Sequence, residues 1–308
     1  MASINVFWYK HPEGHGNFGD ELNPYIIGKL SGKKVHFHYP YYIEESKINL
    51  IKAIIYRLIV EKKVKGFFEW EEWKPLLDKK VIVAIGSVIE VANKSTVVWG
   101  AGVMWQDIKI NESTFLAVRG KYTQKRIQEL GFKVPKVVGD PALLLPLVYQ
   151  PIVKKNYKIG LIPHYVHYSL FLKHYADSEI LIINLLDPIE KIITEISSCK
   201  ITFSTSLHGV IVSHAYQVPS LWIKSSMSSE VKLSGDDIKF ADYFSSVELP
   251  EYEAVELPDK ENILNNLEVF KKQYKSFLVP PINVLKDRQY HLLKVAPFRI
   301  LKKYFRQF

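Results

Sequence analysis

The segment Ile201–Ile223 reads ITFSTSLHGVIVSHAYQVPSLWI. It opens as an apolar, β-branched run, turns over Ser204–Gly209, continues as a small-residue helix and re-enters a strand after Pro219. Ser206, Leu207, His208 and Gly209 fall where that helix begins. Ser206 or Thr205 can act as N-cap, and the unpaired N–H groups of a first helical turn make a ready anion site. A histidine there faces the anion and can exchange a proton with it. The competing reading makes His208 a buried polar residue bonded to backbone. A second set, Asn17, Gly19, Asp20 and Glu21, sits in a glycine-containing loop between a first strand and a helix, where α/β proteins bind ligands. Asp20 can equally serve only to cap that helix. Arg119 ends the apolar run AVRG and offers two parallel bonds to a phosphate or carboxylate, unless it pairs with a carboxylate such as Asp140. Gly86, Gly100–Gly102 and His164 complete the residues expected at strand ends.

These residues need strands to carry them. Ile4–Tyr9 and Lys34–Pro40 read as strands, with a helix starting at Asn23-Pro24 and stopped by Gly32 between them. Leu50–Asp78 reads as mostly helical, with Trp70 and Trp73 as core or lid. Val81–Val88, Thr96–Val103 and Thr114–Arg119 are near-continuous apolar runs of the kind buried parallel strands show. Tyr122–Leu130 is an amphipathic helix closed by Gly131, and Val134–Gly139 a further strand. After a Pro- and Lys-rich stretch, Leu147–Asn156, the pattern restarts: strand Tyr157–Pro163, helix, strand Glu179–Leu185, helix Pro188–Ser198, then the unit already described. A polar stretch after Lys224, a short helix Lys239–Val247 and a long amphipathic helix Asp259–Leu278 follow. The alternation implies α/β architecture in two domains with a cleft between them, residues 1–150 and 151–280. Residues 281–308 form a basic amphipathic tail. His291–Phe308, HLLKVAPFRILKKYFRQF, suits either an anionic membrane surface or packing on the body with its charges in water.

Composition narrows the partners. The chain of 308 residues carries a formal net charge of +9, which favours anionic partners. Its single cysteine, Cys199, rules out an internal disulfide. No secretory leader is visible, and Leu50–Val60 is too short and too charged to span a bilayer; a cytoplasmic setting is expected. The basic residues are dispersed without a reader module, so nucleic acid is not expected. No metal-ligand spacing, dinucleotide fingerprint, phosphate loop or nucleophile elbow occurs.

In order along the chain, NFGDELN, WGAG, AVRG with a helix ending in LGF, GDPALLL, SLHGVIVSHAYQVP and KFADYF resemble the polysaccharide pyruvyl transferase family, from about Asn17 to about Tyr243. The resemblance implies two Rossmann-like domains facing a cleft, as in GT-B glycosyltransferases. It implies transfer of pyruvate from phosphoenolpyruvate to a sugar of a bacterial surface polysaccharide or of its lipid-linked repeat unit, to give a ketal with no further cofactor. By position, His208 is then the acid or phosphate donor and Asp20 the base or an acceptor contact. Arg119, Ser206, Leu207, His208, Gly209 and Lys224 form the donor side; Asn17, Gly19, Asp20 and Glu21 form the acceptor side. Many members have Arg-Leu-His where this chain has Ser206-Leu207-His208, so Lys224 or Arg119 is expected to replace the missing charge. Two rival expectations remain: a GT-B-type glycosyltransferase using a sugar nucleotide, and a non-catalytic scaffold of polysaccharide assembly.

Overall fold

A computed structural model describes residues 3–10, 16–38, 81–226, 235 and 237–308. The helical reading of Leu50–Asp78, the end of Lys34–Pro40 and most of the polar stretch after Lys224 lie outside the described residues. Strands β1 (Ile4–Phe7), β2 (Val35–Phe37), β3 (Val81–Val83), β4 (Thr96–Trp99), β5 (Thr114–Val118) and β6 (Val137–Val138) form a parallel sheet in the order β2-β1-β3-β4-β5-β6. Strands β7 (Tyr157–Ile162), β8 (Ile180–Ile182), β9 (Cys199–Ser204), β10 (Ser220–Lys224) and β11 (Val255–Glu256) form a second parallel sheet in the order β11-β10-β9-β7-β8. β1 and β3 are buried throughout, as the apolar runs require of strands covered on both faces. In each sheet the order reverses once, between β1 and β3 and between β7 and β9. Such a reversal opens a crevice at the carboxyl ends of the strands, because the connections leave in opposite directions.

The helices are α1 (Phe18–Ser31), α2 (Lys121–Glu129), α3 (Leu145–Val148), α4 (Tyr168–Tyr175), α5 (Ile189–Ser198), α6 (Leu207–Ala215), α7 (Ile238–Ser246), α8 (Lys260–Asn265), α9 (Leu267–Gln273) and α10 (Ile282–Lys294). α1 begins at Phe18, earlier than Asn23-Pro24, and Pro24 lies inside it. Proline cannot donate to the carbonyl four residues back; here the Asn23 side-chain amide donates to Asp20 O instead, at 3.1 Å. Asp20 and Glu21 therefore stand on the first helical turn rather than in a loop. The expected single helix Asp259–Leu278 is broken at Asn266, whose side-chain amide bonds back to Asn262.

One buried cluster joins the two sheets, running from Leu22 and Ile26 of α1 through Ile192 and Ile196 of α5 to Val210 of α6 and Leu292 of α10. The C-terminal segment returns to the first sheet. Trp99, fully buried, donates its indole N–H to Leu292 O at 3.0 Å and meets Phe298 edge-on at 5.2 Å. Gln289 donates to Leu143 O at 2.8 Å, Leu301 N to Leu30 O at 2.9 Å, and the Tyr304 hydroxyl to Lys29 O at 3.1 Å. Of the two arrangements open to His291–Phe308, the structure has the packed one: Leu292, Leu293, Ile300 and Tyr304 are buried, and the helix stops at Lys294.

Candidate functional site

The crevices of the two sheets open into one cavity of about 350 Å³. Its wall takes Tyr9, Lys10, Asn17, Gly19 and Asp20 from beyond β1, Gly86, Ser87 and Val88 from beyond β3, and Met104 from beyond β4. The second sheet contributes His164 and Tyr165 after β7, Leu185 after β8, and Thr205, Ser206, Leu207 and His208 after β9; Lys239 comes from α7. The pieces are pinned to one another. Phe18 N donates to Leu185 O at 3.0 Å, joining the start of α1 to the other sheet. Asn23, fully buried, exchanges two bonds with Ile85, at 2.9 and 3.0 Å, and fixes α1 on the end of β3. His164 N donates to Thr205 Oγ1 at 2.8 Å and holds the turns after β7 and β9 together.

Asn17 caps α1: its Oδ1 accepts from Asp20 N at 3.2 Å, and its amide donates to Asp20 Oδ2 at 2.6 Å. Burial nevertheless pushes the Asp20 carboxyl up to about 7; the charge of His208 and the Asn17 bond oppose the rise, and Glu21 adds to it. Asp20 thus exists in both protonation states near neutral pH, which is the condition for exchanging protons with a substrate. His208 stands on the first turn of α6. Its Nε2 faces Asp140 Oδ2 at 3.7 Å, beyond hydrogen-bond reach, and both atoms are buried with no hydrogen-bond partner. The other Asp140 oxygen accepts from Ala142 N, which fixes the carboxylate. The ring lies against Gly19, where an added Cβ would come within 2.2 Å of Nδ1. Gly19 is what lets α1 and α6 bring Asp20 and His208 to one wall. The Ser206 side chain makes no capping bond, so it leaves the first-turn N–H groups of α6 to a ligand.

The other expected residues divide. Leu207 lines the cavity with Ser206 and His208; Gly209 packs behind it, its Cα face against Ser204 Oγ and Ile162. Glu21 turns from the cavity and accepts from Gly16 N at 3.2 Å. Lys224 is exposed and lines a separate cavity with Trp222, Asp237 and Glu251. Arg119 is fully buried and its guanidinium is occupied on each nitrogen: Nε donates to Asp242 Oδ2 at 3.0 Å, Nη1 to Ser87 Oγ at 2.6 Å and Nη2 to Val103 O at 2.6 Å. Its carboxylate partner is Asp242 of α7, not Asp140, and Gly102 leaves the room it fills: a Cβ there would lie 2.4 Å from the guanidinium carbon. Asp242 also accepts from Thr123 N at 2.9 Å and Thr123 Oγ1 at 2.7 Å.

His164, expected at a strand end, lines the cavity, and so do three residues that sequence reasoning did not assign to the site, Lys10, Ser87 and Lys239. Ser87 follows the strand-end glycine of AIGS, a signal that was available. Burial, and then the charges of Lys239 and His167, bring the His164 imidazole down to about 4, so it is neutral near pH 7. Among the described residues no cluster of side chains has the composition to hold a metal ion, and no helix is long and apolar enough to cross a membrane.

Residues 17–227 match the family described as polysaccharide pyruvyl transferase. An uncharacterized protein of Acanthamoeba polyphaga mimivirus is 34% identical over 173 residues, covering 52% of this chain. The match spans 58% of that relative's length. No solved structure matches.

Proposed function

The chain belongs to the polysaccharide pyruvyl transferase family, and on that premise we propose that it transfers the enolpyruvate-derived group of phosphoenolpyruvate to a sugar of a surface polysaccharide or of its lipid-linked repeat unit, closing a pyruvate ketal across two hydroxyls. The observation that carries this reading is the meeting, in one cavity, of a carboxyl that titrates near neutrality with a histidine on an uncapped helix start. In this chemistry the donor's methylene carbon takes a proton and becomes a methyl group, leaving an oxocarbenium-like centre. A first sugar hydroxyl adds there and its proton restores the acid. Phosphate departs as the second hydroxyl closes the ring, and takes that hydroxyl's proton with it. Protonated Asp20 has the character of the acid and ionised Asp20 that of the base. His208 and the α6 N–H groups suit the donor's anionic end, where charge develops on the departing phosphate. Asn17 and Gly19 line the side left for the sugar.

The two lobes, in this reading, take the facing arrangement of GT-B glycosyltransferases, and the protein works in the cytoplasm at the inner face of the membrane. Support for the location is a C-terminal stretch in which Lys294, Arg299, Lys302, Lys303 and Arg306 are exposed together with Phe305 and Phe308.

Phosphate release from phosphoenolpyruvate in the presence of a panel of glycosides tests the reaction. Release that depends on the acceptor and is lost by roughly 100-fold or more in His208→Ala supports it. A thermal shift with nucleotide sugars and none with phosphoenolpyruvate would instead favour glycosyl transfer. Unchanged polymer chemistry in cells carrying His208→Ala would favour a scaffold.

A further inference from the structure

A donor carrying a phosphate and a carboxylate needs cationic side chains, and the expected ones, Lys224 and Arg119, do not line the site cavity. Ser206 lines it but is uncharged, Lys224 lines a different cavity, and the guanidinium of Arg119, fully buried, donates to Asp242, Ser87 and Val103. Among the described residues that line the site cavity, the lysines and arginines are Lys10, from beyond β1, and Lys239, from α7. Lys239 is half-buried and its Nζ lies 5.7 Å from the centre of the Phe240 ring, which itself stacks on Trp222 at 4.1 Å. Its charge helps to lower the pKa of His164, which lines the same cavity. One turn further along the same helix, Asp242 is locked to Arg119 and Thr123 of the first lobe.

We propose that Lys239 is the cation that binds the phosphate of the anionic donor, held at the cavity by the Arg119–Asp242 ion pair. This deepens the reading given above and rests on it. Arg119 then serves the donor site without touching the donor: it fixes the helix that delivers the lysine. A lysine is a compact point charge on a flexible stem, so it suits a tetrahedral phosphate whose orientation is set by other groups, here the N–H groups at the start of α6. Lys10 is exposed, and its Nζ lies 4.4 Å from the centre of the Phe37 ring. His164, neutral beside Lys239, adds no competing positive charge and can accept a hydrogen bond.

The test is calorimetric titration of phosphoenolpyruvate into wild type, Lys239→Met and Lys239→Arg, with the thermal midpoint of each ligand-free protein recorded. Loss of one charge-assisted phosphate contact predicts roughly 10- to 100-fold weaker binding in Lys239→Met, an unchanged midpoint, and recovery to within a few-fold in Lys239→Arg. Wild-type binding that Lys239→Met keeps within two-fold overturns the assignment of Lys239 and leaves the donor reading standing. Absence of binding by wild type overturns the donor reading, and the assignment falls with it.

Discussion

Asp20 is held at a cost that its protonation relieves. Its ordinary value is 3.8 and in the folded chain it rises to about 7, so the folded state keeps a proton that the unfolded chain gives up. The stabilisation this represents is complete below about pH 4 and is lost as pH climbs through about 7. Asp20→Asn, which cannot ionise, is therefore expected to raise the unfolding free energy by ~2–4 kcal/mol at pH 8 and to change it little at pH 4. Urea titrations at the two pH values check this, and the same variant should be inactive in phosphate release, because its amide neither gives nor takes a proton. Gly19→Ala tests the neighbouring contact. A methyl group there meets the His208 ring, so the ring must swing away; activity is expected to fall by at least tenfold while secondary structure, read by circular dichroism, stays intact. The places of Asp20 and His208 on the cavity wall were legible in the sequence because each falls on the first turn of the helix that follows a strand, Asp20 after β1 and His208 after β9. Arg119 was legible as a residue of consequence but not in its role. Its partner Asp242 is 123 positions away, and nothing local distinguishes an arginine aimed at a ligand from one aimed at a helix.

α7 links the lobes at the scale of the elements. Thr123 of α2 and Arg119 at the end of β5 converge on Asp242, and Lys121 N donates to Ser245 Oγ on the next turn, at 2.9 Å. Removing one member of a buried charged pair leaves the other uncompensated, so Asp242→Ala is expected to cost ~3–5 kcal/mol of stability, measured by urea unfolding. Because α7 also carries Lys239, a milder variant, Asp242→Asn, should weaken phosphoenolpyruvate binding more than it lowers the thermal midpoint of the ligand-free protein. The strands of both sheets other than β11 could be read from their apolar runs, since strands covered on both faces have little else to be made of; β11, two residues at a sheet edge and not buried, carries no such run. Helix boundaries were less legible. Pro24 signals a helix start in most settings; here Asn23 stands in for its missing donor, and the true start is set by the Asn17 cap. The break at Asn266 has a similar origin, a side-chain amide competing for the backbone carbonyl of Asn262.

Taken whole, the molecule does not follow its own sequence order. The basic character of the last residues was plain from composition, but their destination depended on an apolar surface of the first lobe that only the folded sheet presents. With Leu292, Ile300 and Tyr304 turned inward, the exposed remainder is basic and aromatic. If it meets an anionic bilayer, the protein should sediment with vesicles containing phosphatidylserine and not with phosphatidylcholine alone, at about 1 kcal/mol for each basic residue near the surface. Lys302→Glu with Lys303→Glu should release it without altering phosphate release; equal binding to both kinds of vesicle would remove the membrane from the account. The return of α10 to the first sheet has a consequence in time. A ribosome delivers β1 to β6 first, yet the acceptor for the Trp99 indole N–H, and the aromatic ring that meets it, arrive only with residues 292 and 298. Until that segment emerges, Trp99 of the lobe that is born first lacks the partners that complete its burial.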